Sequence, residues 1–138
     1  MNLKINHLAV VICIVLVHGL GFLWYGVLFM DPWMRMVGLD PAAPPTDPGG
    51  AIWILNAVSI IAPIYLLAWL FTKLNVTSAM RGASLGFLIT FCFHHLGTMN
   101  ANMFAGEPYG LAWITGGYMM AGMTLSGLVL GIWTKREG

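Results

Sequence analysis

Residues 5–30 read INHLAVVICIVLVHGLGFLWYGVLFM, and the fold class follows from how they are interpreted. These 26 residues contain no Asp, Glu, Lys or Arg. That is more than the ~20 apolar residues a helix needs to cross the hydrocarbon of a bilayer. The far half adds His18, Gly19, Gly21, Trp24 and Tyr25. Small residues let helices approach closely, and an ionisable ring beside two amphipathic aromatics needs polar partners. The span is therefore expected to lie against protein as well as lipid. Lys4 ahead of it gives the outline of a secretory signal. The apolar run is too long for one and no small-residue cleavage pattern follows, so a retained membrane anchor is expected.

The composition of the whole chain agrees. Its 138 residues are 59% hydrophobic and 8% charged, with a mean hydropathy of +0.82, whereas an ordinary soluble domain has about a quarter of its residues charged. The length fits one domain, 1–138. A net charge of +1 without a basic aromatic patch gives no sign of a nucleic-acid partner. Cys13 and Cys92 both fall inside apolar runs and are expected to be small buried hydrophobes rather than a disulfide.

Outward from the first span, residues 31–50 (DPWMRMVGLDPAAPPTDPGG) form a loop whose five prolines and three glycines exclude a long helix. Asp31-Pro32 is expected to stop the first span. Trp33, Met34, Met36 and Val37 are apolar enough to rest in the headgroup zone. Further spans are expected at about 51–72, 79–104 and 110–133, giving an all-α, four-helix membrane bundle. Pro63 sits near the middle of the second span, where it removes a backbone donor and disturbs the Ser59 carbonyl. Thr77 or Ser78 is placed to cap the third. In the third span Gly82 and Gly86 stand at the spacing that lets another helix approach. In the fourth, Gly122/Ser126 and Gly127/Gly131 form two small-residue pairs on different faces. These six positions are the expected helix-packing sites.

Charge sets the orientation. With four spans, Lys4, Lys73, Arg81, Lys135 and Arg136 share one side and Arg35 alone lies on the other. The positive-inside rule then puts both termini in the cytoplasm. Residues 31–50 become a periplasmic loop, and the expected location is the bacterial inner membrane. The Asn75-Val76-Thr77 sequon falls on the cytoplasmic side and carries no meaning there.

Gly21-Phe-Leu-Trp24-Tyr25 with Phe29 and Trp33, followed by Gly38-Leu39, resembles the opening of a widespread bacterial family of small membrane proteins, catalogued as domain of unknown function 1761. The end is similar too, through Asn102-Met-Phe104, Tyr118 and the closing Gly127…Gly131-Ile-Trp133. The resemblance covers nearly the whole chain and implies a four-span membrane protein without an assigned activity. His18 and the His94-His95 pair stand outside its pattern.

No acidic residue occurs inside any span, so only histidine is available to carry a proton or hold an ion there. At 1.5 Å per residue, His18 lies about 20 Å from Ile5 and His94 about 21 Å from Met80, nearly one level if both spans start on the same side. Equal depth hints that spans one and three are neighbours, with His18 close to His94 or His95. Tyr25, Asn56, Ser59, Thr98 and Asn102 complete a set of pocket candidates. Three readings follow. The histidines hold the bundle in register through hydrogen bonds. They line a midplane pocket or path for a small molecule or ion. Or His18, His94 and His95 bind a metal or a b-type haem between spans one and three. Met119, Met120 and Met123 read as adaptable packing residues, with a copper-binding thioether site as the weaker alternative. No nucleophile triad, paired-carboxylate, phosphate-loop or dinucleotide pattern is present, so an enzyme is not expected. The leading expectation is an accessory or scaffold subunit that packs against other membrane helices, in a homo-oligomer or a larger complex. A small transporter or ligand-binding protein is the alternative.

Overall fold

Asn6 opens the first helix. Its side-chain oxygen accepts the Ala9 N–H at 3.3 Å, satisfying one of the donors that a helix N-terminus leaves free. The computed structural model describes residues 2–137. Helix α1 spans His7–Leu23 and runs on into a π-helical turn, Trp24–Leu28. The chain breaks at Phe29 (φ −124°, ψ 16°) and starts a short helix, α2, over Met30–Met36. Asp31-Pro32 therefore sits in the first turn of a new helix just past the break. A proline is tolerated there because first-turn N–H groups have no acceptor within the helix. Gly38, at φ +74°, ends α2: the Leu39 N–H returns to Met34 O at 2.9 Å and the Gly38 N–H to Arg35 O at 3.4 Å.

Helix α3 covers Gly50–Leu74 and continues through Pro63. Asn75, left-handed at φ 50°, closes it. Ser78 caps α4 (Ala79–Thr90) by accepting the Arg81 N–H at 3.3 Å. A second π turn, Phe91–His95, joins α4 to α5 (Leu96–Phe104), so helix is unbroken from Ala79 to Phe104. Helix α6 is Tyr109–Ile132. Two short strands, β1 (Leu3–Lys4) and β2 (Lys135–Arg136), pair antiparallel, and the Asn6 side-chain amide donates to the Trp133 carbonyl at 3.1 Å. Both ends of the chain are tied together at one end of the helices.

Three helices, His7–Leu28, Gly50–Leu74 and Tyr109–Ile132, are long and apolar enough to cross a membrane. The Ala79–Phe104 run is less apolar, since His94, His95, Thr98, Asn100 and Asn102 crowd its second half.

Helix α6 is the axis of the fold. It is buried along its length, from Leu111 to Gly131, with α4 on one flank, α1 on the opposite flank and α3 against both α1 and α6. The approach of α4 is backbone to backbone. Ser78 lies opposite Gly131, Gly82 opposite Gly127 and Gly86 opposite Met123, one turn apart along an antiparallel pair. A Cβ on Gly82 would collide with the Gly127 carbonyl, and a Cβ on Gly127 with that of Gly82. Such contacts bring Cα–H groups onto carbonyl oxygens and give the dispersion energy that joins helices where water supplies no driving force. The other small pair faces α1. Gly122 meets Val17, and buried Ser126 returns its hydroxyl to the Gly122 carbonyl at 2.8 Å while its own carbonyl receives the Cys13 thiol at 3.8 Å.

Cys13 is fully buried, but Cys92 is exposed on the outer side of the second π turn, against the expectation that both are buried. Its position follows from the neighbouring His95, which takes the inward face of that turn. Gly86→Leu or Gly127→Leu is expected to lower the unfolding midpoint by several degrees or to prevent folding, because the collision is with backbone and no rotamer relieves it. Gly97→Leu, where nothing lies within 4 Å of the new Cβ, should not lower the midpoint in the same thermal assay.

Candidate functional site

Two aromatic side chains lock α1 to α6, each resting on a glycine of the other helix. The Trp24 indole lies over Gly117 and donates to the Ile114 carbonyl at 2.9 Å. The Tyr118 hydroxyl reaches over Gly21 and donates to the Val17 carbonyl at 2.9 Å. A Cβ on Gly21 would sit 3.1 Å from the Tyr118 hydroxyl and one on Gly117 3.2 Å from the Trp24 ring, so each ring would have to give way slightly. Tyr25 adds edge contacts with Tyr118 (ring centroids 5.4 Å apart) and Trp33 of α2 (5.5 Å), and Trp24 packs on Phe29 at 4.7 Å.

The second π turn meets the same level of α6 from the other flank. His95 is 0% exposed, with its ring on Gly116 and 4.5 Å from the Trp113 ring centre. Among the described residues neither of its ring nitrogens has a hydrogen-bond partner. Between the Gly86–Met123 and His95–Gly116 contacts, the Ala79–Phe104 run uses more residues than α6 does. The wider π turn absorbs part of that surplus and turns His95 inward.

The expected meeting of His18 with His94 or His95 does not occur. Gly116 faces His95 while Gly117, its neighbour, faces Trp24 of the first span. Gly122 of α6 faces Val17 of α1, and Gly131, nine residues on and half a turn round, faces Ser78 at the start of α4. Helix α1 and the Ala79–Phe104 run thus lie on opposite flanks of α6, and equal depth carried no information about which helices touch. His94 is exposed beside a groove of 200 Å³ between α3 and the Ala79–Phe104 run, together with Pro63, Met119 and Met123. Thr98 and Asn102 lie half-buried on α5, and neither lines the cleft that His18 lines. Ser59 is exposed and bonds the Asn56 carbonyl of its own helix at 2.8 Å.

His18, Tyr25 and Asn56 do come together. With Trp53, Ile60 and Tyr118 they line a cleft of 590 Å³ between α1 and α3, at the end of the helices nearest the 37–49 connection. The cleft exists because α3 leans away. From Ala51 to Ser59 every residue except half-buried Ala57 is exposed, and packing begins at Ile60. Pro63 stands where the free half of α3 meets the packed half, the place where its missing N–H loosens the helix. No charged side chain lines the cleft. Tyr118 and Trp53 were not among the sequence candidates. Tyr118 had entered only through the family resemblance, and nothing in the sequence places Trp53 opposite His18.

The family pattern matches residues 8–131, which include both π turns, the cleft and the α4–α6 contact. The chain belongs to the family described as protein of unknown function DUF1761. No curated protein and no solved structure matches it. In this DUF1761 protein Gly21, Trp24, Tyr25, Phe29, Trp33 and Tyr118, six of the positions carrying the resemblance, form one connected cluster. Gly127 and Gly131 form the contact with α4. Taken one at a time these are weak sequence signals, but folded they are the two interfaces that hold α6.

Replacing a buried polar ring that lacks partners by an apolar side chain of similar volume removes a desolvation cost. His95→Leu is therefore expected to keep or raise the unfolding midpoint. A loss of more than about 2 kcal/mol in unfolding free energy, the scale of a buried group losing real partners, would mean that the ring holds something the protein carries.

Proposed function

We propose that this chain is a four-span membrane protein, both termini cytoplasmic, that takes a small uncharged amphiphile from the bilayer into the cleft between α1 and α3. The observation that carries the reading is the meeting of His18, Tyr25 and Asn56 in one cleft whose other walls are apolar. Among the described residues the Asn56 amide and the Tyr25 hydroxyl make no side-chain hydrogen bond, and His18 makes one. Polar groups at membrane depth need partners, because lipid offers none. The cleft's 590 Å³ lies within the ~300–1,000 Å³ typical of ligand sites.

The pairing of Leu3–Lys4 with Lys135–Arg136 supports an even number of crossings. Three apolar helices alone would separate the two ends, so the Ala79–Phe104 run is taken as the fourth crossing despite its polar half. The Lys and Arg distribution then favours a cytoplasmic location for the ends, and the family resemblance favours a bacterial inner membrane. A Thr46→Cys variant, in a Cys92→Ser background, should react with an impermeant maleimide in intact cells. Labelling only after lysis would reverse the orientation.

An accessory or scaffold role keeps one supporting observation, the exposed first half of α3 with Ile52, Trp53, Ile54 and Leu55. The small-residue faces no longer argue for it, since Gly82, Gly86, Gly122, Gly127 and Gly131 all meet residues of this same chain. A haem held between spans one and three is not supported either, because α6 stands between His18 and the His94-His95 pair. Ala57→Trp fills the cleft while His18, Tyr25 and Asn56 are left unsubstituted. Solvent extracts of protein purified in mild detergent should contain a small molecule that falls at least about tenfold in this variant, a loss of about 1.4 kcal/mol in binding, with the unfolding midpoint kept. Equal extracts from both proteins would defeat the cleft reading. A second polypeptide in the native mass, lost on Ile54→Arg, would favour the accessory role.

A further inference from the structure

Two of the polar side chains lining the cleft have already committed their protons, and on the reading of it as a ligand site this selects the occupant. The His18 Nδ1 lies 2.8 Å from the Ile14 carbonyl oxygen. A carbonyl only accepts, so Nδ1 carries the proton and, in the neutral ring, Nε2 is a bare acceptor. The Tyr118 hydroxyl has likewise committed its proton to the Val17 carbonyl at 2.9 Å, leaving lone pairs on its oxygen. Both assignments are forced by carbonyl oxygens of α1, which cannot exchange roles with their donors. Two side chains lining the cleft therefore offer acceptors only, and an occupant that satisfies them has to bring its own donors. Tyr25 and Asn56 can in turn donate to it.

Three further features narrow the class. No Asp, Glu, Lys or Arg lines the cleft, which disfavours phosphate and ammonium headgroups. Trp53, Phe22 and Tyr25 wall it with aromatic rings, which suits a flat body. One side opens between α1 and the free half of α3, giving room for an apolar tail. We infer that the cleft binds a membrane-dissolved phenol of the hydroquinone type, and that it prefers this to the corresponding quinone, whose oxygens only accept. No redox step is implied; the preference is one of binding.

The test uses the full chain in phosphatidylcholine nanodiscs under anaerobic conditions, with protein-free discs as the partition blank. The probes are a decyl-substituted benzohydroquinone, its quinone and its dimethyl ether. The hydroquinone is expected to bind about tenfold tighter than either of the others, the weight of one hydrogen bond at about 1.4 kcal/mol. His18→Phe, and separately Tyr118→Phe, should each shrink the hydroquinone-to-quinone ratio to about threefold or less. Two variants are used so that loss of folding in one leaves the other to report. Equal binding of hydroquinone and quinone to the original protein overturns the inference, as does a preference unchanged in both variants. If Ala57→Trp still removes a co-purifying molecule while no hydroquinone preference exists, the cleft remains a ligand site and only its assigned occupant falls. If no probe binds and no molecule co-purifies, both fall.

Discussion

Gly82 and Gly127 each place a bare Cα against the other's carbonyl oxygen, and this contact sets the position of everything around it. Two helices whose backbones touch have no freedom to slide by part of a turn. Ser78 with Gly131 and Gly86 with Met123 repeat the contact one turn away on either side, so α4 and α6 have a single register. With that register fixed, the surplus residues of the Ala79–Phe104 run must be absorbed locally, and the π turn at Phe91–His95 does so. His95 turns inward onto Gly116 as a consequence.

The opposite flank of α6 uses different chemistry. There the separation is set by rings, Trp24 on Gly117 and Tyr118 on Gly21, each anchored by a hydrogen bond to a carbonyl of the facing helix. Those carbonyls already accept bonds within their own helices, so the aromatic donors take a second lone pair without unwinding the backbone. Helix α6 is thereby held by glycine contact on one side and by aromatic donors on the other. Helix α3 is the loosest element by contrast. It is packed from Ile60 through Phe71 and free before that, with Pro63 at the change. A cleft forms where the locked pair of α1 and α6 meets a helix fixed at only one end.

Polar groups are distributed accordingly. In the locked interfaces nearly every buried donor is used, by Trp24, Tyr118, Thr90 and Ser126. Thr90 returns its hydroxyl to the Gly86 carbonyl at 2.8 Å, the usual refuge of a hydroxyl on an apolar helix. Among the described residues the fully buried side-chain atoms without a partner are those of His95, sealed in the core, and further unused capacity lies in the cleft, where His18, Tyr25 and Asn56 are accessible. The first is a cost the core bears. The second is capacity an occupant can fill.

The sequence by itself determined the helical character, the long apolar runs, a cap at Thr77 or Ser78 and the family, because each depends on local composition or on spacing along one helix. Small-residue spacing also marked Gly82, Gly86, Gly127 and Gly131, since a Cα without a side chain signals close approach whatever the partner. Partner identity was not legible. Residue depth follows from 1.5 Å per residue, but two histidines at one depth can lie on any two flanks of a bundle, and here α6 separates them. The direction in which His95 points depended on a π turn, and that turn arises only when α4 and α6 are brought into register. Which of Tyr25, Asn56, Ser59, Thr98 and Asn102 would share a pocket was likewise decided by tertiary structure. A cleft is the gap between helices that fail to pack, and that failure belongs to no single segment of the chain.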